Sequence, residues 1–124
     1  MNSREEQISN LVKRAFQAYE LKDRSLLESL LSDKLVFTSP HDHRIDKATY
    51  FERCWPFSQQ VRAYHFIKIM VQYNQAFVLY ECRSLSGIKF RNIEFFTIEG
   101  DKIREIEVYY GSIPASHPSV GVIN

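Results

Sequence analysis

The sequence feature that most constrains the fold is a β-hairpin predicted for residues 90–111. Two segments of alternating character, FRNIEFFTIE and KIREIEVYYG, flank Gly100 and Asp101. Glycine readily adopts the positive φ that a type II′ turn needs at its first central position. We therefore close the hairpin with Gly100 and Asp101 and pair Glu99 with Lys102. This register decides which side chains share a face of the sheet.

Counting back from the turn places two carboxyl side chains directly opposite each other. The register pairs Glu94 with Glu107, and Asn92 with Tyr109, on one face of the hairpin. Like charges placed directly across a strand pair are unfavourable by up to about 1 kcal/mol. Either another interaction compensates for this repulsion or the register is wrong. The opposite face then carries four apolar side chains, which are Ile93, Phe95, Ile106 and Val108.

The N-terminal third of the chain predicts two helices. Ser3 and Glu6 have the spacing of a capping box, and apolar residues then recur at helical spacing as far as residue 19. A second cap, at Asp23 or Ser25, begins a short leucine-rich helix that ends near Ser32.

A short strand and a third helix follow. Residues 35–39 are rich in strand-forming side chains and are followed by Pro40. Residues 41–44 are predicted either as a polar loop or as the start of a partner strand. Asp46 caps the third helix, which ends at or before Trp55 because a proline comes next.

From residue 61 the hydrophobic period changes from helical to extended. Strands are predicted at 61–72 and 76–84, and the hairpin then completes a four-stranded antiparallel meander. If Ser86 and Gly87 form a two-residue turn, Glu81 pairs with Asn92 and joins the polar face. The fold class is α+β, with three helices packed on one side of a curved, mostly antiparallel sheet.

Composition limits the class of protein. The 124 residues, 44% hydrophobic, suit a single domain with its core at about 6–111 and a loosely held tail at 112–124. The 16 basic and 15 acidic side chains are interspersed, which argues against binding to nucleic acid or to an anionic membrane. The longest apolar runs are far shorter than the roughly 20 residues that a membrane span needs, and no signal peptide is visible. Cys54 and Cys82 form no CxxC motif. We therefore expect a cytoplasmic protein.

Three segments carry a resemblance to a known family: SLLSDKLVFTSP, DKATYFERCW and FRNIEFFTIEGDKIREIEVYYG. With the order of the elements, they resemble the nuclear transport factor 2-like superfamily, in particular its SnoaL-like branch, over residues 6–111. The resemblance implies a cone-shaped roll, in which the sheet curls around the first helix and its concave face lines a pocket. It also implies a homodimer through the outer face of the sheet, which our register assigns to Ile93, Phe95, Ile106 and Val108.

The resemblance carries over to single positions only in part. Glu94 matches the place where ketosteroid isomerase has the aspartic acid that donates a hydrogen bond to the developing oxyanion. Ser39 stands where that enzyme has its general base, and Ala15 stands where it has a pocket tyrosine. Ketosteroid isomerase activity is therefore not expected, and a base would have to come from elsewhere, such as Asp42.

The main candidate site is the carboxyl pair of Glu94 and Glu107. Inside the cone, one carboxyl of the pair would have a raised pKa and donate a proton, while the other stayed ionised. On the solvent face, the same pair would be ordinary surface charge. The resemblance favours the interior.

Other polar and aromatic residues complete the predicted pocket. Asp42 or one histidine, such as His41, either lines the pocket mouth or belongs to a solvated turn. His41 and His43 have a usable ligand spacing, but no third ligand at a fixed offset completes a metal site. Tyrosine and tryptophan side chains have an apolar ring with one polar group, which suits contact with a small hydrophobic ligand that carries a few oxygens. Aromatic side chains are also common in an ordinary core. The remaining predicted lining residues are Trp55, Glu81, Asn92 and Tyr109.

These patterns predict a protein that binds a small apolar or amphipathic molecule in the cone. As an enzyme it would be a cofactor-free isomerase, cyclase or dehydratase. Asp42 would act as the base and the Glu94/Glu107 pair as the proton donor. Two alternatives stay open: a non-catalytic ligand-binding protein, and an interaction module that docks another chain on the outer face of the sheet.

Overall fold

A computed structural model describes residues 2–111, and the tail predicted at 112–124 lies outside the described residues. The order of helices and strands follows the predicted α+β pattern. The elements are α1 (Ser3–Leu21), α2 (Arg24–Leu30), β1 (Leu31–Ser39), β2 (Asp42–Ile45), α3 (Lys47–Cys54), a 3₁₀ helix (Trp55–Gln60), β3 (Val61–Gln72), β4 (Gln75–Ser84), β5 (Lys89–Glu99) and β6 (Lys102–Tyr110).

The six strands form one curved sheet in the order β2-β1-β6-β5-β4-β3. Strands β3 to β6 form the predicted antiparallel meander. The segment after Pro40 is a strand, β2, which pairs antiparallel with β1. The parallel pairing of β1 with β6 makes the sheet mixed, and it joins the two halves of the chain. The fold is the predicted one, with three helices packed on a curved sheet.

Helix α1 begins with a capping box that differs from the predicted one. Ser3 is already the first helical residue, so its predicted box with Glu6 does not form. Instead, the side chain of Asn2 accepts a hydrogen bond from the backbone N–H of Glu5 at 2.8 Å. The Glu5 carboxyl in turn accepts from the backbone N–H of Asn2 at 3.1 Å. The box lies one residue earlier because its first member must precede the helix.

The other predicted helix ends are close to the observed ones. The carboxyls of Asp23 and Asp46 each accept a hydrogen bond from the backbone N–H three residues later, at 3.0 and 2.9 Å. Helix α3 ends before Pro56, as predicted. The first strand begins at Leu31 rather than Leu35, because α2 passes directly into β1.

The hairpin register changes at a β-bulge close to the turn. The pairs next to the turn, which end with Ile98 opposite Ile103, are as predicted. Thr97 then pairs with Glu105, so Arg104 is an extra residue on β6. Because neighbouring side chains of a strand point to opposite faces, every later side chain of β6 lies on the face opposite to the predicted one. The predicted register is wrong from this point onward.

The apolar core explains the bulge. Ile103, Ile106 and Val108 are 0%, 3% and 4% exposed, and all three belong to the core. Ile103 and Ile106 are three residues apart, so an uninterrupted strand would send them to opposite faces. The bulge lets all three side chains join the concave face. The prediction that Ile106 and Val108 lie on the outer face is therefore wrong.

The concave face of the sheet curls around α1. Phe16 of this helix is 4% exposed, and its ring lies 4.8–6.0 Å from four aromatic rings of β3, β4 and β5. Edge-to-face contacts at these distances favour packing beyond the area that is buried. Among residues 2–111, no helix is both long and apolar enough to cross a lipid bilayer.

Candidate functional site

A small cavity lies between the helices and the concave face of the sheet. Its volume is about 50 Å³, which is room for a few water molecules. Pockets for ligands of ordinary size have volumes of roughly 300–1,000 Å³. Aromatic side chains of α1, α3 and the sheet fill most of the cone in this conformation. A ligand larger than a few atoms would therefore require some of these rings to move.

Glu94 is the one carboxyl residue among the described residues that line the cavity. It lies on β5 between Val78 of β4 and Val108 of β6, on the concave face. Burial in this apolar setting raises the pKa of Glu94 from 4.5 to about 7. At neutral pH the carboxyl is therefore present in both protonation states, as proton exchange requires.

A tyrosine holds this carboxyl in place. The hydroxyl of Tyr80, on the neighbouring strand β4, donates a hydrogen bond to Oε2 of Glu94 at 2.6 Å. This bond favours the ionised carboxylate and lowers its pKa, but the effect of burial is larger. The other carboxyl oxygen, Oε1, accepts no hydrogen bond from within residues 2–111. It is the atom of Glu94 available to a bound molecule.

The helices contribute a second polar group to the cavity wall. The hydroxyls of Tyr19 on α1 and Tyr50 on α3 lie 2.7 Å apart and share one hydrogen bond. Burial raises the pKa of both phenols, so both stay protonated. Two hydroxyls carry two hydrogens and only one of them is used within the pair. The second has no acceptor among residues 2–111 and can donate to a ligand oxygen.

The structure separates the predicted carboxyl pair. Asn92 and Glu94 line the cavity, whereas Glu107 lies opposite Phe95 on the outer face of the sheet. Tyr109, also on the outer face, is 55% exposed. The predicted contact between Glu94 and Glu107 is therefore absent, because the residues of β6 that follow the bulge point to the faces opposite to the predicted ones.

A second register difference moves Glu81. It pairs with Arg91 rather than with Asn92, and the two side chains form an ion pair at 3.2 Å on the outer face. The prediction that Glu81 shares the face of Glu94 is therefore wrong. The connection between β4 and β5 is longer than the two-residue turn on which that prediction depended.

Three further predicted residues lie away from the cavity wall. Asp42 is 8% exposed and accepts hydrogen bonds from the guanidinium of Arg53 and, at 3.4 Å, from the hydroxyl of Ser39. His41 is exposed beside the ring of a neighbouring tyrosine. Trp55 packs its ring against Tyr19 at 4.9 Å. Asp42 and Glu94 are therefore not brought together as a base and an acid facing one space.

Sequence analysis did not single out Tyr80 or Tyr50. A partial signal for Tyr80 was present, because Val78, Tyr80 and Cys82 take every second position of β4 and the alternate positions further along carry the charged Glu81 and Arg83. A tyrosine in such a buried row needs a partner for its hydroxyl. Tyr50 lies on a helix at a position typical of core packing, and only the contact with α1 reveals its polar role.

Comparison with solved structures places this geometry in a known fold. An NTF2-like protein of unknown function from Cytophaga hutchinsonii is 17% identical, with 84% of this chain and 89% of that chain covered and a TM-score of 0.69. An LEH-like epoxide hydrolase from M. tuberculosis is 16% identical, with 87% of this chain and 85% of that chain covered and a TM-score of 0.71. A candidate SnoaL-like polyketide cyclase from Jannaschia sp. is 13% identical, with 88% of each chain covered and a TM-score of 0.73.

No protein-family model matches the sequence, and no curated protein sequence matches it. The similarity therefore lies in the structure, and it shows the fold. The chain has the nuclear transport factor 2-like fold, an α+β cone, which confirms what the resemblance of the sequence implied. One fold supports many activities, so function must be argued from the cavity itself.

Proposed function

We propose that this protein binds a small carbonyl compound in the cone and moves a proton on it with Glu94, without a cofactor. One observation carries the proposal: a carboxyl on an aromatic cavity wall, held by Tyr80 at 2.6 Å, with its pKa raised to about 7. A general acid or base works best when its pKa lies near the working pH.

The chemistry follows from the groups on the cavity wall. Oε1 of Glu94 takes a proton from the carbon next to the carbonyl, and the electrons of that C–H bond move toward the carbonyl oxygen to form an enolate. The free hydrogen of the Tyr19–Tyr50 pair donates to this oxygen and stabilises its charge. Return of the proton to a different carbon gives an isomer. Asp42 is paired with Arg53 away from the cavity, so here Glu94 both accepts and donates the proton.

Proton exchange tests the proposal without knowledge of the natural substrate. Acetone, cyclopentanone and cyclohex-2-enone are incubated with the protein in D₂O, and exchange of their α-protons is followed by ¹H NMR. We expect the wild type to accelerate exchange and Glu94→Gln to be slower by about 10²-fold or more, as is usual when a general acid or base is removed. Glu107→Gln, a matched change on the outer face, should exchange like the wild type. Equal rates for Glu94→Gln and the wild type would refute the proposal.

A second candidate function is ligand binding without catalysis. It is favoured by the presence of a single carboxyl among the described residues of the wall, since many acid/base enzymes use two groups. Binding of the same three ketones is measured from the ¹³C carboxyl shift of Glu94. A saturating shift with no α-proton exchange in the wild type would support this function over the catalytic one.

The proposed partner is a second copy of the chain, which would pack on the outer face of the sheet. This face carries Phe77 and Ile93, which are 51% and 39% exposed, and the ring of Phe77 stacks on that of Phe95 at 4.5 Å. Exposed apolar patches are typical of interfaces. Analytical ultracentrifugation should show a wild-type dimer that dissociates with Phe77→Asp but not with Leu21→Asp, an exposed position on α1. A monomeric wild type would exclude the dimer.

The proposed location is the cytoplasm. Cys54 and Cys82 are both buried and unbonded, and burial raises the pKa of each thiol to about 12. Free thiols of this kind suit a reducing compartment, in which disulfides are rare. Cell fractionation with an antibody to the protein tests this location, and recovery in the membrane or secreted fraction would contradict it.

A further inference from the structure

A chain of hydrogen bonds runs from the backbone at the end of β6 to Glu94. The N–H of Gly111 donates to Oδ1 of Asn92 at 3.2 Å. Nδ2 of Asn92 donates to the hydroxyl of Tyr80 at 3.2 Å, and that hydroxyl donates to Oε2 of Glu94 at 2.6 Å. Asn92 and Tyr80 are each 4% exposed, so the hydrogen bond between their side chains is shielded from solvent.

The chemistry of the groups sets the direction of this chain. A backbone N–H can only donate, so the amide atom of Asn92 that faces Gly111 must be its oxygen. The remaining atom of the amide is then the NH₂ group, which also can only donate. The oxygen of Tyr80 therefore accepts from Asn92, and the single hydroxyl hydrogen of Tyr80 is directed to Glu94.

The first donor in this series of hydrogen bonds, the N–H of Gly111, is fixed in position by the backbone. The N–H of Gly111 also donates to the carbonyl of Arg91 at 2.8 Å. A Cβ added at Gly111 would lie 2.2 Å from that carbonyl oxygen, so only glycine lets the two backbones approach this closely. The position of the N–H is thus set by the backbone of the sheet.

We propose that Asn92 is a positioning residue that turns the Tyr80 hydroxyl toward Oε2 of Glu94, so that the exchangeable proton of Glu94 resides on Oε1, facing the cavity. The consequence for catalysis rests on the proposed function, whereas the order of the hydrogen bonds does not. Asn92 acts on Glu94 only through Tyr80.

A double-mutant cycle read by NMR tests this order. The ¹³C carboxyl titration of Glu94 is recorded for the wild type, Tyr80→Phe, Asn92→Leu and the double variant. Tyr80→Phe removes the bond that favours the carboxylate, so the pKa of Glu94 should rise by about one pH unit. Asn92→Leu weakens the Tyr80 donor by removing its own donor, and the rise should be about 0.3 pH unit. In the Tyr80→Phe background, Asn92→Leu should cause no further change.

Two results would overturn the proposal. One is that the pKa of Glu94 in the Asn92→Leu variant equals its pKa in the wild type. The other is an equal rise from Asn92→Leu in both backgrounds, which would show that it acts directly on Glu94 through burial. Asn92→Ala serves the same comparison if the leucine variant does not fold. The hydrogen of Gly111 stays paired with Arg91 in either variant.

A control and an independent readout complete the experiment. Tyr109→Phe removes a Tyr–Glu hydrogen bond of the same length on the outer face and should leave the Glu94 titration unchanged. The titrations contain no ligand, so they can fail or succeed whatever the ketone exchange shows. If exchange depends on Glu94 while the cycle is additive, the proposed function holds and the positioning role of Asn92 is refuted.

Discussion

The sheet carries the same pair of side chains on both of its faces. Tyr80 donates to Glu94 at 2.6 Å inside the cone, and Tyr109 donates to Glu107 at 2.6 Å on the outer face. Tyr80 is 4% exposed and Tyr109 is 55% exposed. Inside the cone, burial raises the pKa of Glu94 to about 7. The comparison shows that the surroundings of a Tyr–Glu pair, more than the pair itself, create a group suited to proton transfer.

The bulge at Arg104 assigns the pair of Tyr109 and Glu107 to the outer face. Without it, Glu107 would lie opposite Glu94 inside the cone, and Val108 would point outward. One extra residue therefore keeps Glu107 on the outer face of the sheet, away from the cavity that Glu94 lines.

The largest expected difference is in the free energy of unfolding of two variants that each place a charge on β6, one on the inner face and one on the outer face. Val108→Asp would bury an unpaired carboxylate in the core, and we expect a loss of at least about 3 kcal/mol or a failure to fold. Tyr109→Asp places the same charge in solvent and should leave the chain folded. Circular dichroism with urea unfolding measures both. A reversed order, with Tyr109→Asp the less stable variant, would mean that the bulge does not exist in solution.

The next largest effect is the pH dependence of stability that Glu94 causes. Its pKa is raised on folding from 4.5 to about 7, so its contribution is fully present below pH 4.5 and is lost as the pH rises through 7. The wild type should lose about 3 kcal/mol relative to Glu94→Gln between pH 4 and pH 8. Urea unfolding at several pH values measures this difference. A Glu94→Gln curve parallel to the wild type would contradict the burial of Glu94.

The smallest effect concerns the two tyrosine hydroxyls. At pH 8, Tyr80→Phe removes a hydrogen bond to a buried carboxylate and should cost about 2 kcal/mol of unfolding free energy. Tyr109→Phe removes an exposed bond that water replaces, and we expect no measurable change. Chemical denaturation at pH 8 compares the two. Equal losses would show that the Glu94 carboxylate is hydrated.

Much of the fold was predictable because it depends on local signals. The turn at Gly100, the helix caps at Asp23 and Asp46 and the end of α3 before Pro56 all follow from backbone preferences of a few residues. The antiparallel meander follows from the period of two in the apolar pattern. The parallel contact of β1 with β6 was not predicted, because it joins distant residues without a local signal.

The site was predicted less well because it depends on strand register. Glu94 and Asn92 lie on the cavity wall, but Glu81, Glu107 and Tyr109 lie on the outer face. A shift of one residue is enough to exchange the faces of a strand. The repulsion expected between Glu94 and Glu107 was a warning, and the spacing of three between the buried isoleucines of β6 was the signal that could have located the bulge.

The sequence alone was sufficient for the order of the elements and the α+β class, because caps, turns and hydrophobic periods act over a few residues. The resemblance of the sequence to a known family, rather than its pattern, indicated that Glu94 faces the concave side. The assignment of side chains to the two faces required the assembled sheet, because the bulge forms where three apolar side chains of β6 are best buried together. The Tyr80 and Tyr19–Tyr50 contacts likewise exist only after α1 and α3 pack against the concave face, and the raised pKa of Glu94 is a property of that burial.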